Sequence, residues 1–246
     1  MKLIIDFDSF IYKACVACET LTEVKPNIYV QAYDTRKGAE YFKNIMDTML
    51  VITNCNDYVI CLSDWRNFRK KVCPTYKSNR KAKKPVVFSQ LKDMVFDMFT
   101  TYTRPYLEAD DLCRYLYEKE PNASIIASID KDMATFPCKL FNPDKLGEGV
   151  RTISPKTANT NFMRQLIMGD DTDGYEGIKG MGVARTEKVL STMQTIDEVK
   201  ALYSENGYTE EQFAMVYNQA RILGKNEILE DSLVLYGDKT WLIPNE

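Results

Sequence analysis

The segment EADDLCRYLYEKEPNASIIASIDKD, residues 108–132, is the part of the chain that indicates its fold most clearly. In its first half, residues 108–119, leucine and tyrosine side chains recur on one side at helical spacing, which predicts an amphipathic helix. Its second half contains SIIASID at 124–130, a short apolar run of the kind that forms a buried strand. A helix that leads directly into a buried strand is typical of an α/β domain.

Two other segments have the same character as SIIASID. KLIID at 2–6 and YVICLSD at 58–64 are short apolar runs that end in an aspartate. Residues 21–37 are polar and are predicted to be irregular. The further predicted helices begin at about Ser9, span about 38–53 and span about 88–101. Strands alternating with helices predict an α/β fold with a mostly parallel central sheet flanked by helices.

Three aspartates follow the predicted strands. Asp6, Asp64 and Asp130 each stand at the carboxyl end of one apolar run. Because α/β sheets place their sites just beyond the carboxyl ends of the strands, we expect these carboxylates to share one rim. Each of them alone would usually be a solvated strand end.

Further acidic side chains are crowded together at three places. Neighbouring carboxylates repel one another unless cations bind between them. Ligation by oxygen alone favours Mg²⁺ or Mn²⁺ over zinc. For any one cluster, a helix cap or a solvated loop is the alternative interpretation. The clusters are Glu108, Asp110 and Asp111; Asp130 and Asp132; and Asp170, Asp171 and Asp173.

The net charge of −3 conceals a strong asymmetry. Residues 65–84 hold nine basic side chains and no acidic one, which leaves 23 basic against 35 acidic residues elsewhere. A basic segment on an acidic body favours a local contact with a polyanion, although a solvated loop is equally compatible with it. The nine are Arg66, Arg69, Lys70, Lys71, Lys77, Arg80, Lys81, Lys83 and Lys84.

Composition excludes several kinds of site. The chain has no histidine, which excludes Ser-His-Asp triads, Cys-His dyads and histidine-rich zinc sites. Its seven cysteines fit a reducing cytosol, and Cys15-x-x-Cys18 lacks the second pair that a zinc site needs. No apolar run is long enough to cross a bilayer, and the first ten residues do not have the pattern of a signal peptide. We therefore expect a cytoplasmic protein without membrane contact.

The character of the chain changes at about Ser154, where helical patterns begin to predominate. We predict an α/β core over 1–153 that includes a basic, partly helical arch at about 65–90. We predict a helical part over 154–246.

A glycine-rich turn lies within the helical part. GIKGMGVARTEKVL at 177–190 places Gly177, Gly180 and Gly182 in a turn that opens a helix. This is the layout of a helix-hairpin-helix, in which glycine lets backbone N–H groups approach a phosphate. An ordinary turn between two helices is the alternative.

The order and wording of these segments resemble the 5′ nuclease (flap endonuclease) superfamily, which includes the N-terminal domain of bacterial DNA polymerase I and small phage exonucleases. Together with QARILGKNE at 219–227, they most resemble the gene-six 5′→3′ exonucleases of T-odd short-tailed phages. The matching motifs are IIDFDSFIYKA at 4–14, LSDWRNFRK at 62–70, YKSNR at 76–80, LEADD at 107–111, SIDKDM at 128–133 and GDDTDGYEGIKGMG at 169–182.

The resemblance implies a PIN-like 5′ nuclease core and a metal-dependent 5′→3′ exonuclease with flap endonuclease activity. Its products would carry 5′-phosphate and 3′-hydroxyl ends, in phage DNA replication, primer removal or recombination. It implies two Mg²⁺ ions, for which Mn²⁺ can substitute, and makes K⁺ a further candidate at the helix-hairpin-helix. The expected partner is duplex DNA with 5′ ends or 5′ flaps, with RNA–DNA hybrids as a second candidate. We expect a monomer in the host cytoplasm.

The resemblance also implies roles for individual residues. The implied metal site consists of Asp6, Asp64, Glu108, Asp110, Asp111, Asp130, Asp132, Asp170 and Asp173. The implied catalytic side chains are Arg69, Tyr76, Lys77 and Arg80. The implied DNA contacts are Arg66, Lys70, Lys71, Lys81, Lys83, Lys84, Gly177, Lys179, Gly180, Gly182 and Arg185.

Two positions depart from the family pattern, and two rival functions stay open. Asp8 occupies a position that is usually small or uncharged, and Gly174–Tyr175 replaces an Asn-Ile-Pro type sequence. One rival is a DNA-binding protein that has kept the fold without the activity. The other is a nuclease whose main role is removal of RNA from RNA–DNA hybrids.

Overall fold

The computed structural model describes residues 1–80 and 83–244. Within these residues the strands are β1 Lys2–Asp6, β2 Glu19–Lys25, β3 Ile28–Tyr33, β4 Asp57–Cys61, β5 Thr101–Tyr102, β6 Ser124–Ala127, β7 Cys138–Phe141, β8 Val150–Ile153, β9 Gly169–Asp170, β10 Tyr175–Glu176, β11 Ser232–Leu235 and β12 Lys239–Leu242. The α-helices are α1 Asp8–Cys18, α2 Thr35–Thr53, α3 Phe68–Val72, α4 Phe88–Met98, α5 Ala109–Lys119, α6 Pro155–Met168, α7 Val183–Leu190, α8 Ile196–Glu205 and α9 Glu210–Ala220. Short 3₁₀ helices span Lys131–Thr135, Leu146–Glu148 and Tyr236–Asp238.

The central sheet has six strands in the order β5-β4-β1-β6-β7-β8. β1 lies in its interior and pairs in parallel with β4 on one side and with β6 on the other. β5 and β7 continue the parallel pairing, and β8 is antiparallel to β7. This confirms the predicted α/β fold with a mostly parallel sheet flanked by helices, and it aligns the carboxyl ends of β1, β4 and β6 along one edge.

The apolar strand sequences reflect burial on both faces of the sheet. Leu3 and Ile5 of β1 pack into a core with α1, α2 and α4, whereas Ile4 between them packs into a second core with α5. Successive side chains of a strand point to opposite faces, so a strand covered on both sides must be apolar at every position. The uninterrupted run KLIID therefore forms a central strand.

A third core joins the C-terminal helices. Phe162 and Leu166 of α6 pack there with Tyr203 of α8 and Phe213 of α9. After α9 the chain returns to the sheet, where residues 222–233 contribute apolar side chains to the second core. This return brings the segment after α9 against α3 and the start of α5.

The prediction that residues 21–37 are irregular was wrong. β2 and β3 form an antiparallel hairpin there, and α2 begins at Thr35. Threonine, valine and tyrosine favour strands, and Asn27 supplies the left-handed turn residue with φ 61°. The hairpin is exposed on both faces along nearly all of its length, so its sequence lacks the alternation of a half-buried strand.

Other element boundaries differ by a few residues. β4 ends at Cys61 and β6 at Ala127, so Asp64 and Asp130 lie three residues beyond their strands, in loops. The predicted arch contains the five-residue helix α3 and the start of α4 among its described residues. No helix in the described part of the chain is long and apolar enough to span a membrane.

Candidate active site at the carboxyl edge of the sheet

Asp6 is the last residue of β1 and lies at the centre of the carboxyl edge. One of its oxygens accepts a hydrogen bond from the Ser128 hydroxyl, 2.9 Å away, in the loop after β6. Burial, with the charges of Asp8 and Asp130 acting in the same direction, raises the pKa of Asp6 to about 7. Asp8 is in turn tied to the β4 loop, because it accepts a hydrogen bond from the Ser63 backbone N–H at 3.3 Å. The loops after β1, β4 and β6 therefore meet at one site, as the sequence predicts.

Glu108 enters the same site at the N-cap of α5. Lys77 Nζ lies 2.6 Å from Glu108 Oε1, and the Tyr76 hydroxyl donates to Oε2 at 3.0 Å. Burial alone would raise the pKa of Glu108, but the charges of Lys77 and Arg69 outweigh it and lower the pKa to about 2. Glu108 is therefore an anion held between cations.

Asp173 enters from the loop after β9 and shares the same partners. Arg80 donates to Asp173 at 2.6 Å, the Tyr76 hydroxyl at 3.1 Å, and Lys77 Nζ lies 3.6 Å away. The backbone N–H of Lys77 donates to the carbonyl of Asp173 at 2.7 Å, and Lys77 holds a left-handed φ of 55°. A lysine in this strained conformation is held there by its surroundings, which is common at functional sites. Lys77 thus links α5 to the loop after β9.

Asp170, at the end of β9, has both oxygens engaged. One accepts from the backbone N–H groups of Thr172 and Asp173 at 2.7 and 3.2 Å, and the other lies 3.0 Å from Lys131 Nζ. Burial opposes the ionised form, but the bond and charge of Lys131 lower the pKa of Asp170. Lys131 therefore couples the loop after β6 to the loop after β9.

Asp132 faces Asp170 and Asp173 from the 3₁₀ helix after β6. Its side chain accepts from Gln165 of α6 at 2.9 Å. Burial and the neighbouring charge of Asp130 together raise its pKa to about 7. The pKa of Asp130 is also raised, again by burial first.

Asp110 completes the set of acids with a raised pKa. Burial and the charge of Asp111 hold its pKa well above the usual range. Four carboxyl groups at one edge thus resist ionisation, and this crowding is what a bound cation relieves. They are Asp6, Asp110, Asp130 and Asp132.

The donor set fits a hard divalent cation, because every acidic group here is a carboxylate and the chain has no histidine. In the part of the chain that the structure describes, no three acidic or thiol groups converge on one point as they stand. The basic side chains explain this spread, since three carboxylates point at ammonium or guanidinium groups within 3.0 Å. These pairs are Glu108 with Lys77, Asp173 with Arg80 and Asp170 with Lys131.

The geometry argues against two of the expected site roles. Asp111 is fully buried and faces Arg69, which is 1% exposed, through two N–O contacts of 2.7 and 2.8 Å. Asp111 also accepts from the backbone N–H of Leu223, and Arg69 donates to the carbonyl of Arg221. With these partners, both Asp111 oxygens face the Arg69 guanidinium, which also holds Glu108 at 2.9 Å. This geometry favours a positioning role for both residues.

Asp64 likewise anchors its own loop. It accepts from the backbone N–H groups of Trp65 and Tyr106 at 2.8 and 2.9 Å and from Arg66 Nε at 2.7 Å. These bonds fix the loop after β4 against the segment that leads into α5. They also hold Arg66 part-buried, which limits its reach as the expected DNA contact.

Among the described residues of segment 65–84, five other basic residues have the exposure that a DNA contact requires. They are Arg80, which lies beside Asp173, and four lysines. Lys81, also expected to contact DNA, lies outside the described residues. The exposed lysines are Lys70, Lys71, Lys83 and Lys84.

The glycine turn precedes α7, and its three glycines differ. A Cβ at Gly177 would collide with the backbone of Ile167 and Gly169, whereas Gly180 has a left-handed φ of 82°. Gly182 is the N-cap of α7 and has open space around it. The exposed Lys179 and Arg185 flank the turn, and Arg185 donates to the Gly180 carbonyl at 3.1 Å. Gly177 thus serves close packing, and only the outer part of the turn can approach a ligand.

Some residues that contact the site carboxylates were not predicted from the sequence. Lys131, Gln165 and Ser128 all contact site carboxylates but belong to none of the predicted groups. The position of Lys131 between Asp130 and Asp132 was an available signal, because both of its sequence neighbours are acidic. Gln165 carries no local signal, since its partner is 33 residues away.

Comparison with known proteins identifies relatives of this arrangement. The exonuclease of Escherichia phage T7 is 31% identical over 192 residues, a match that covers 73% of this chain and 63% of the T7 protein. The chain thus aligns with less than two thirds of that relative's length.

The fold also matches solved structures. A phage T5 flap endonuclease variant, solved with DNA and metal ions, has a TM-score of 0.62 at 16% identity, covering 87% of this chain and 88% of that one. The catalytic core of Rad2 with a DNA substrate has a TM-score of 0.53 at 13% identity, covering 86% and 65%. At these identities the two structures establish the shared fold.

One family model matches residues 1–145, which contain β1, β4, α5, β6 and the carboxylates attached to them. This match spans more than half of the chain. The chain belongs to the family of the 5′-3′ exonuclease N-terminal resolvase-like domain.

Proposed function

We propose that this protein is a metal-dependent 5′→3′ exonuclease with flap endonuclease activity, which hydrolyses DNA from 5′ ends to give 5′-phosphate and 3′-hydroxyl products. The observation that carries the proposal is the position of Lys77, whose ammonium lies 2.6 Å from Glu108 and 3.6 Å from Asp173. It places one cation between two groups of carboxylates at the carboxyl edge of the sheet. Family membership and the nuclease activity named for the phage T7 relative support the proposal.

The proposed cofactor is a pair of Mg²⁺ ions, for which Mn²⁺ can substitute. When bound, such ions supply an activated water and stabilise the attacking and leaving oxygens of a phosphodiester. The residues proposed to hold them are Asp6, Glu108, Asp110, Asp130, Asp132, Asp170 and Asp173. Asp64 and Asp111 are instead proposed to fix the loops that carry these ligands.

The basic side chains of the site are proposed to receive the scissile phosphate. Lys77 and Arg80 already occupy positions beside the carboxylates, where their charge can offset that of a phosphate as it becomes more negative in the transition state. Tyr76 donates one hydrogen bond towards Glu108 and is also within reach of Asp173, so it positions both acids. Attack of water on phosphorus then breaks the bond to the 3′ oxygen, which leaves as a hydroxyl.

Two further regions are proposed to bind parts of the DNA that lie outside the reaction site. The exposed lysines of segment 65–84 face the backbone of the 5′ strand, which explains their concentration in an otherwise acidic protein. The turn at 177–182, proposed as a helix-hairpin-helix, offers backbone N–H groups at the start of α7 to a phosphate of the duplex, with K⁺ as a further proposed ion there. These contacts carry no sequence information, so we expect cleavage without sequence preference.

The proposal is tested by incubating the protein with a 5′-labelled blunt duplex, a 5′-flap duplex and an RNA–DNA hybrid, each in Mg²⁺ and in EDTA. We expect short 5′-labelled products from both DNA substrates in Mg²⁺ and intact DNA in EDTA. Faster cleavage of the hybrid would assign the main role to RNA removal. Tight DNA binding without any cleavage in Mg²⁺ would show a binding protein and overturn the proposal.

A further inference from the structure

A column of stacked side chains leads from the second core to the surface beside the candidate active site. Trp241 packs edge-on against the buried Tyr106, with ring centroids 5.3 Å apart. The Arg66 guanidinium lies over the Tyr106 ring at 4.8 Å and over the Trp65 ring at 5.2 Å. Trp65 ends the column and is 80% exposed. Single exposed hydrophobic residues are common on protein surfaces, so it is the support beneath this ring that sets Trp65 apart.

Asp64 fixes this column. It accepts from the backbone N–H of Trp65, from Arg66 Nε and from the backbone N–H of Tyr106, all within 2.9 Å. Each bond holds one of the three stacked residues, so the Trp65 ring rests on an ordered support. A preorganised ring loses little conformational entropy when a ligand stacks on it.

Trp65 lies close to the proposed reaction. Ser63 accepts through its hydroxyl from the backbone N–H of Ala109, in the first turn of α5, and the Asp64 N–H donates to the carbonyl of Leu107. The loop after β4 therefore runs alongside the segment that carries Glu108. Trp65 is two residues beyond Ser63, about 7 Å along an extended chain.

The surroundings of Trp65 favour a nucleic acid over a protein as its ligand. Within residues 63–68 no other large hydrophobic residue is exposed, so the ring does not belong to an apolar patch of this segment. Trp65 instead begins the basic segment, with Arg66 beneath it and the exposed Lys70 and Lys71 following. Aromatic rings among basic side chains are the usual arrangement for holding single strands.

We propose that Trp65 stacks on an unpaired base of the 5′ strand beside the scissile phosphate, as the outermost member of the Tyr106–Arg66–Trp65 column. This inference rests on the proposed function and names one contact that the single-stranded substrate makes. The chain contains two tryptophans, so Trp241→Phe leaves Trp65 as the sole tryptophan reporter.

The first test titrates Trp241→Phe with a 5′-flap DNA in EDTA, while following tryptophan emission and the anisotropy of labelled DNA. We expect quenching of Trp65 that saturates at the same DNA concentration as the anisotropy. Saturating anisotropy with unchanged emission would overturn the inference. The emission difference between the wild type and Trp65→Phe gives the same readout without touching the core, should Trp241→Phe fold poorly.

The second test compares the affinities of two Trp65 variants, a control variant and the wild type for 5′-flap DNA. Trp65→Ala should weaken binding about ten-fold, the size expected for one lost stacking contact, and Trp65→Phe should restore most of it. Val51→Ala, on α2, is the control, because Val51 is as exposed as Trp65 but lies away from the site. Equal affinities of the wild type and Trp65→Ala would overturn the inference. Failure of the proposed function would look different, since no DNA would then be cleaved in Mg²⁺ by the wild type.

Discussion

Arg69 and Asp111 face each other as a bidentate ion pair, with N–O distances of 2.7 and 2.8 Å, and neither side chain is more than 1% exposed. The pair joins α3 to α5, and the segment after α9 closes it through the Arg221 carbonyl and the Leu223 N–H. Parts of the chain 152 residues apart thus share one buried charge network directly behind Glu108.

Breaking this pair should lower the stability of the folded protein, rather than remove a group that takes part in DNA cleavage. Arg69→Ala leaves Asp111 as an uncompensated buried charge, which costs about 3–5 kcal/mol. Asp111→Ala should cost less, because the Arg69 guanidinium keeps its contact with Glu108. We expect urea unfolding to shift to clearly lower denaturant for both variants, with Arg69→Lys recovering only part, because an ammonium cannot bond both oxygens in the same way. An unchanged unfolding midpoint combined with lost cleavage would instead make these residues direct participants in the reaction.

Lys77 should behave in the opposite way. Lys77→Ala removes the cation between Glu108 and Asp173, so we expect the single-turnover cleavage rate to fall by about 10²–10³-fold. DNA affinity should fall only a few-fold, since one phosphate contact is lost. Lys70→Ala, at an exposed position of the same segment, is the matched control and should alter affinity more than rate. Equal losses of rate and affinity in Lys77→Ala would reassign Lys77 to general DNA binding.

The stability of the metal-free protein should depend on pH through Asp6. Its pKa in the folded protein is raised to about 7, so folding favours the uncharged acid. The contribution of Asp6 to stability is therefore complete below the pKa of the unfolded chain and is lost as the pH rises through about 7. In EDTA we expect melting to occur several degrees higher at about pH 5.5 than at about pH 8.

Asp6→Asn provides the control for this pH dependence. The amide carries no charge, so the variant should be more stable than the wild type at about pH 8 in EDTA and should show a flatter pH profile. Mg²⁺ should raise the melting temperature of the wild type at that pH more than that of the variant. If the melting temperature of the metal-free wild type rose between about pH 5.5 and about pH 8, the raised pKa of Asp6 would be contradicted.

The glycines of the turn before α7 offer a matched pair. Gly177→Ala places a methyl group against the backbone of Ile167, which cannot move without disturbing α6, whereas Gly182→Ala meets open space. We expect Gly177→Ala to lower the free energy of unfolding by about 1–3 kcal/mol, the cost expected for overpacking. The stability of Gly182→Ala should stay near that of the wild type. Circular dichroism melting of the two variants checks this. Similar melting temperatures would show that the turn is not closely packed in solution.

The order of apolar runs and aspartates predicted correctly which loops meet at the carboxyl edge of the sheet. Asp6, Asp64 and Asp130 follow apolar runs, and parallel pairing of β1 with β4 and β6 necessarily gathers the loops after them. The sequence did not separate the surroundings of Asp110 from those of Asp111, because both stand in the same acidic motif. Neighbouring residues of a helix point about 100° apart, so one faces the site and the other the core.

The roles that sequence could not show depend on distant contacts. In the sequence, Arg69 looks like one more basic residue of a basic segment. Its buried position depends on the segment around Arg221, which lies 152 residues away in the chain. The hairpin of β2 and β3 was missed because its exposure on both faces removes the usual alternation. The position of Trp65 beside basic residues is visible in the sequence, but its support by Arg66 and Tyr106 is not, because Tyr106 is distant in the chain.

The central claim is that the carboxylates at the edge of the sheet hold divalent ions that cleave DNA. The most direct measurement compares the wild type with Asp130→Asn on a 5′-labelled flap duplex in Mg²⁺, following cleavage and DNA binding in parallel. The account predicts Mg²⁺-dependent cleavage by the wild type, and at least a 10²-fold slower reaction of Asp130→Asn, on the order of a lost charge-stabilising group, at nearly unchanged DNA affinity. Cleavage by Asp130→Asn at a near-normal rate, or cleavage by the wild type in EDTA, would contradict it.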